Sequence, residues 1–281
     1  MCRGEKVAIN KNTVRKSVKD IVEIAEKGNL QTITTSGAGE ALLFKEFVAL
    51  LASRTLSDRG IEVIINTNLT ALTEKLWERI KHNNLTIVAS VDGATKETYE
   101  RIRVGARWED VYRNLGMIAR KHKLGELNKL ILSFIIMNSN KADISKIIKL
   151  ACDLEITLTF SQHYGLSTVE ENIFECCDID ALDSIYDLIE GAGGFRMKHV
   201  NLGSAWMLIN RSYRGAPYRI NCARYQISRR GRRDIAARIL GRAIDDIASN
   251  ALKVERSKEL EILDLFATVT APAIESERPS V

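Results

Sequence analysis

Gln31-Thr32-Ile33-Thr34-Thr35-Ser36-Gly37-Ala38-Gly39-Glu40-Ala41-Leu42-Leu43 is the stretch on which the fold turns. Gln31–Thr35 is dense in β-branched residues and bounded by turn formers, which predicts a short strand. Ser36-Gly37-Ala38-Gly39 follows as a turn in which glycine lets the backbone approach another group closely. Glu40 then opens an amphipathic helical pattern carried by Phe44, Phe47, Val48 and Leu51. Parallel α/β folds place ligands at such glycine-containing strand ends. A tight strand-to-helix turn explains the same residues, so the neighbouring segments must decide.

Upstream, Val14, Val18, Ile21, Val22 and Ala25 mark one face of a helix with Asn12 or Thr13 as cap and Gly28 as stop. Downstream, the pattern of strand and helix repeats. Glu62–Asn66, Thr86–Ser90, Leu130–Met137 and Ile156–Phe160 read as further strands. Between them lie helical periods: Leu76, Trp77 and Ile80 behind a Thr73 cap, then Trp108, Val111, Leu115 and Ile118. Ile144, Ile147, Ile148 and Ala151 follow, with Asn140 placed to cap them. Near-continuous apolar strands separated by helices predict a parallel sheet covered by helices. The expected fold is α/β: a partial (β/α) barrel of parallel strands with helices outside, plus a small C-terminal extension. We place the barrel at residues 1–204 and the extension at 205–281, with Lys198–Leu202 as a sixth strand.

Polar residues gather where the strands end: Ser36, Asn66, Asn68, Ser90, Asp92, Asn138, Gln162 and His163. In this fold class the C-terminal edge of the strands is the ligand edge. No GxSxG elbow occurs, so hydrolase chemistry of that type has no support.

Composition narrows the alternatives. The chain has 281 residues, 45% of them hydrophobic, and a net charge of +5. No stretch approaches the ~20 apolar residues of a membrane span, and no signal peptide is visible. The five cysteines (Cys2, Cys152, Cys176, Cys177, Cys222) form no secreted disulfide framework, which points to the reducing cytoplasm. Arginine is concentrated between Arg211 and Arg242. Such a run is a solvated face more often than a nucleic-acid surface.

Four motifs occur in order at the predicted strand ends: Gly37-Ala38-Gly39-Glu40-Ala41-Leu42-Leu43, Asn66-Thr67-Asn68, Ser90-Val91-Asp92-Gly93 and Tyr99-Glu100-Arg101-Ile102-Arg103. Together they resemble the radical S-adenosylmethionine (SAM) superfamily over residues 1–165. Ala41 stands where that family has a proline and Leu69 where it has a glycine. The second departure bears directly on the geometry of the Asn66–Leu69 turn. The resemblance implies two cofactors, SAM and a [4Fe–4S] cluster held by a CxxxCxxC loop. Cys2 resembles the third cysteine of that loop, which implies a chain beginning inside it and impaired reductive cleavage of SAM. By the same resemblance Gly37, Gly39 and Glu40 face the amino group of SAM. Asn68 and Ser90 bond its ribose or carboxylate oxygens, and Arg103 pairs with its carboxylate. The implied substrate is a peptide, protein or small molecule.

Cys222-Ala223-Arg224-Tyr225-Gln226-Ile227-Ser228, Gly231, Ile239-Leu240-Gly241 and Ser257–Phe266 resemble the SPASM extension of the same superfamily. One cysteine there, with Ala236-Ala237 in place of a cysteine pair, falls short of the four thiolates a cluster needs. Three other readings stand beside the leading one. They are a non-catalytic SAM-cleft relic or truncated product, a phosphate-binding βα enzyme and a basic nucleic-acid-binding module. Glu40 opposes the phosphate reading, because a carboxylate repels a bound phosphate.

Overall fold

The computed structural model describes residues 11–35, 39–162 and 171–271. The chain divides into two compact units, Met1–Gln162 with Leu188–Ala205, and His163–Asp187 with Trp206–Val281.

The first unit is a parallel sheet. Its strands are β1 (Thr32–Thr35), β2 (Glu62–Thr67), β3 (Asn84–Ser90), β4 (Lys129–Ile136), β5 (Thr157–Gln162) and β6 (Val200–Asn201), paired in sequence order. Every neighbouring pair is parallel, as the strand-helix alternation predicts. The sheet is not closed, which is the partial barrel expected. Its helices are α1 (Lys11–Glu26), α2 (Lys45–Ala52), α3 (Glu74–Ile80), α4 (Lys96–Ile102), α5 (Trp108–Lys123) and α6 (Ile144–Leu154).

The two faces of the sheet differ sharply. Ile33, Val63, Ile65, Leu85, Ile87, Ala89, Leu130, Leu132, Phe134, Leu158 and Phe160 are all buried on one face. At roughly 1.5–3 kcal/mol for each large side chain, this face is what holds the sheet to its helices. The alternate residues form the other face and are mostly half-buried. Register aligns them in rows across the strands. Asn66, Val88, Ile131 and Thr157 make one row, and Ser90, Ser133 and Thr159 make the next. The open face therefore carries a stripe of hydroxyls nearest the C-terminal edge.

Several local expectations change. Glu40 does not open a helix. It caps a 3-10 turn over Ala41–Leu43, and α2 begins only at Lys45 behind Phe44. Asn12 and Thr13 lie inside α1 rather than at its cap. Asn140 gives no side-chain cap to the turn that leads into α6. Its amide instead donates to the carbonyls of Asp92 (3.1 Å) and Ile135 (2.8 Å), and its oxygen accepts from Met137 N (2.8 Å). Thr73 does cap α3, accepting from Leu76 N at 3.3 Å.

In the second unit α7 (Ile179–Gly191) begins, and α8 (Ala216–Tyr225), α9 (Arg233–Ala248) and α10 (Arg256–Thr270) follow. The sequence reading missed α8 and the first half of α9. Helix α9 packs against both α8 and α10, with Ile235, Ala236, Ile239, Leu240 and Ala243 buried. Ala236 is thus core packing. No described helix is long and apolar enough to cross a membrane.

Candidate functional site at the strands' C-terminal edge

Past the strands, side chains that accept from backbone N–H groups tie β1 to β2 and β3 to β4. Glu40, buried after β1, accepts from Leu42 N (3.3 Å) and from Asn68 N just past β2 (2.7 Å). Asp92, fully buried past β3, accepts from Ile135 N on β4 at 3.0 Å. Asp143, past β4, reaches back to Ala94 N (3.0 Å) and is paired with Lys146 (3.2 Å). Burial alone would raise the Asp143 carboxyl, but the Ala94 N–H, Lys146 and Thr98 together hold it below the ordinary carboxylate value.

Arg103 adds an ion pair at the β3 end of these bonds. It follows α4, and its Nε and one terminal nitrogen both donate to Asp92 Oδ2, with the Nε bond at 2.8 Å. Gly93 explains why the Asp-Gly pair stands here. A Cβ at Gly93 would lie 2.6 Å from Tyr99 N and 2.8 Å from Tyr99 Cα, so only glycine lets α4 approach the end of β3.

Tyr99 sits at the centre. Its side chain is fully buried, yet its hydroxyl has no hydrogen-bond partner among the described residues. Burial pushes the hydroxyl up to about 12, with Arg103 opposing and Asp92 and Glu40 adding to the rise. Glu40, Asp92 and Arg103 are thus the charges whose fields the phenol feels. A buried hydroxyl left unsatisfied is costly, on the order of 1–3 kcal/mol, so this one calls for a partner beyond the described residues.

The residues expected from sequence fall as follows. Glu40 meets Asn68 directly, and the Asn68 side chain accepts from Thr70 N at 3.0 Å. Gly39 is exposed with φ of 117°, a conformation that suits glycine. Ser90 ends β3 on the open face, opposite Ser133. Arg103 is bound to the buried Asp92 through Nε and one terminal nitrogen, so it is not a surface ion pair. Gly37, Cys2 and His163 lie outside the described residues. Leu69 takes φ of 64°, so the Asn66–Leu69 turn keeps a left-handed conformation without a glycine. Sequence reasoning passed over Asp92, Asn140 and Asp143 as site-builders and left Tyr99 without a role. The Asp92-Gly93 pair, with an arginine eleven residues on, was the signal available for the first.

The arginine-rich stretch is heavily paired within its own unit. Arg214 binds Asp183 and Arg219 binds Asp246, at 2.6 and 2.7 Å. Arg211 lies 3.9 Å over the Tyr186 ring and also meets Asp187. Arg242 reaches Asp180 and Asp246.

Fold and edge together define a parallel α/β protein whose strand ends carry buried, hydrogen-bonded acids. The family model for the radical SAM superfamily matches residues 2–151, more than half of the chain. The chain belongs to the radical SAM superfamily. No curated protein matches it.

Proposed function

We propose that the C-terminal edge of the sheet binds S-adenosylmethionine and that the protein serves radical modification of a peptide, protein or small molecule. The observation that supports this most is the unpartnered Tyr99 hydroxyl among Glu40, Asp92 and Arg103. The donor set suits an amino acid headgroup. A carboxylate offers about four acceptor positions, and the two described bonds to Glu40 leave room for an ammonium. Gly39 supplies backbone beside it, with Gly37 as the expected second glycine. Arg103 keeps a terminal nitrogen not committed to Asp92 for a carboxylate. Asn68 and Ser90 are the candidates for ribose oxygens, with the Ser133 hydroxyl next in the row.

A [4Fe–4S] cluster would supply the electron for reductive cleavage of SAM; Cys2 is the one thiolate the resemblance assigns to it, short of the set such a loop provides, so cleavage would be impaired. The chain's own part is to orient and to exclude water. Asp92 fixes the arginine, Glu40 fixes the turn after β2, and the buried face of the sheet keeps both from moving. The SPASM-like reading of the second unit belongs to the same proposal in a reduced form. There the Cys177 thiol is hydrogen-bonded to Cys222, and that contact together with burial pushes Cys177 well up. Burial, with Cys222 and Cys177 beside it, also raises the Tyr218 hydroxyl, which donates to Phe174 O at 2.7 Å. A pair of thiols packed this way is a helix-to-loop staple rather than a cluster cradle. The thiols of Cys152, Cys177 and Cys222, none of them in a disulfide, support a reducing, cytoplasmic setting.

Calorimetric titration with SAM tests the site. Glu40→Gln should weaken binding about 10–100-fold, as expected for a charged hydrogen bond, and Tyr99→Phe about 2–10-fold. Unchanged affinity in both, with the fold intact by circular dichroism, would overturn the placement. Anaerobic reconstitution with iron and sulfide, followed by assay for 5′-deoxyadenosine, separates binding from turnover.

A further inference from the structure

At the opposite, N-terminal edge of the sheet a thiol touches both a thioether and an imidazole. Cys152 lies near the end of α6, and Met197 and His199 lie in the segment that leads into β6. Cys152 Sγ is 3.6 Å from Met197 Sδ and 3.2 Å from His199 Nε2. All three side chains are half-buried. Sulfur is a weak donor and a weak acceptor, so these contacts hold little energy as hydrogen bonds. An imidazole nitrogen turned toward a thiol has given up a better partner in water.

The backbone fixes this arrangement. His199 O accepts from Leu158 N at 2.8 Å, which extends the β5–β6 pairing through the histidine. A Cβ at Gly194 would lie 2.8 Å from Ile189 Cγ2 and 3.1 Å from Ile148 Cδ1, so the chain is pressed onto α6 there. A Cβ at Gly193 would lie 3.5 Å from Met197 Cε, and the thioether sulfur faces Cys152 at 3.6 Å.

We propose that Cys152, Met197 and His199 bind one copper(I) ion in a three-coordinate site. Thiolate and thioether donors select copper(I), and imidazole accepts it as well. Among the described residues no three His, Cys, Asp or Glu side chains are grouped to hold a metal. The thioether completes this set, and zinc sites do not normally use one. With bond lengths of about 2.3 Å to sulfur and 2.0 Å to nitrogen, trigonal geometry needs S···S near ~4.0 Å and S···N near ~3.7 Å. The observed separations fall short by about half an ångström or less, a change within the reach of χ rotations. On coordination the Cys152 thiol releases its proton to solvent and copper stays in the +1 state. The ion would then join α6 to the segment before β6, at the far end of the sheet from the SAM edge.

The test is anaerobic titration of the full chain, without iron–sulfur reconstitution, against copper(I) bicinchoninate. One tightly held equivalent should weaken more than about tenfold in Met197→Leu and again in His199→Gln, since loss of a ligand exceeds the usual effect of outer-shell changes. Cys222→Ser should leave that equivalent in place. X-ray absorption at the copper edge should show nitrogen together with two sulfurs. Copper that ignores Met197→Leu and His199→Gln, an all-sulfur shell, or loss that follows Cys222→Ser would overturn the site. Met197→Leu is close in volume and retains the packing, so failure to fold does not obscure the result.

Discussion

The two edges of the sheet are built from different chemistry. At the C-terminal edge, each acid spans from one strand's loop to the backbone of a neighbour: Glu40 to Asn68, Asp92 to Ile135, Asp143 to Ala94. These bonds continue the sheet's pairing beyond the strands with side chains, so the site and the fold share the same groups. At the N-terminal edge the backbone pairs for itself, as Leu158 does with His199. The side chains of Cys152, Met197 and His199 add only weak sulfur contacts there. The proposed SAM site and stability are therefore coupled at one edge, while the proposed copper site and stability are separable at the other.

Asp92→Ala tests the coupled edge most severely. It removes a fully buried carboxylate and leaves Ile135 N and the mostly buried Arg103 guanidinium without their acceptor. Loss of one partner of a buried pair costs about 3–5 kcal/mol. Urea unfolding should show a midpoint shift of that size with little change in slope. A shift under about 1 kcal/mol would show that the C-terminal edge is as separable from the fold as the other edge.

Much of the sheet was legible because buried parallel strands must be apolar on at least one face and helices must fill the gaps. Ile33, Val63, Ile87, Leu132 and Leu158 carry that signal without help from tertiary context. What was not legible depends on who faces whom. Glu40 looked like a helix opener because its neighbours are apolar, but Asn68 N, twenty-eight residues away, claims its carboxylate and shortens the helix to a turn. Asn140 looked like a cap, yet the ends of β3 and β4 converge on it and use all of its polar atoms. Leu69 looked like a broken turn. The backbone keeps φ positive there at a cost of roughly 1–2 kcal/mol, because the side chain is fully buried and Asn114 binds its carbonyl at 2.8 Å. In the second unit α8 escaped notice because its polar and apolar residues mix around the helix, with buried Arg219 beside Ile220 and Ala223. Helical periodicity does not appear where an ion pair sits in the core.

Tyr99 sharpens the comparison on a smaller scale. Its hydroxyl is raised from 10 to about 12 in the folded protein. A raised value means stability is fully present below pH 10 and lost as the pH climbs toward about 12. The full loss on that limb is roughly 2–3 kcal/mol. Tyr213 and Tyr218 are raised as well, so the difference between wild type and Tyr99→Phe is the quantity to measure. Denaturant unfolding from pH 8 to 12 should give a variant whose stability falls less steeply. At pH 7 the substitution should be neutral or stabilising, because the phenol has no described partner to lose. A variant less stable at pH 7 would mean that the hydroxyl is bonded within the chain, which would remove the main support for a ligand there.

Met197→Leu carries the smallest expected effect and bears on the other half of the comparison. The side chain is half-buried and its sulfur meets Cys152 at 3.6 Å. Leucine conserves the volume, and such exchanges cost less than about 1.5 kcal/mol even in cores. The lost S–H···S contact adds little, since thioether sulfur is a weak acceptor. Without copper, the variant should therefore unfold within about 1 kcal/mol of wild type. With copper(I) in excess the two should separate, because a ligand bound only to the folded state stabilises it by RT ln(1 + [L]/Kd). A hundredfold excess over Kd is worth about 2.7 kcal/mol in the wild type, and the variant should gain less by more than about 1.4 kcal/mol for a tenfold weaker site. Equal stabilisation of both proteins would place the copper elsewhere. A large loss without copper would show that the sulfur contacts hold the N-terminal edge together, erasing the contrast between the two edges.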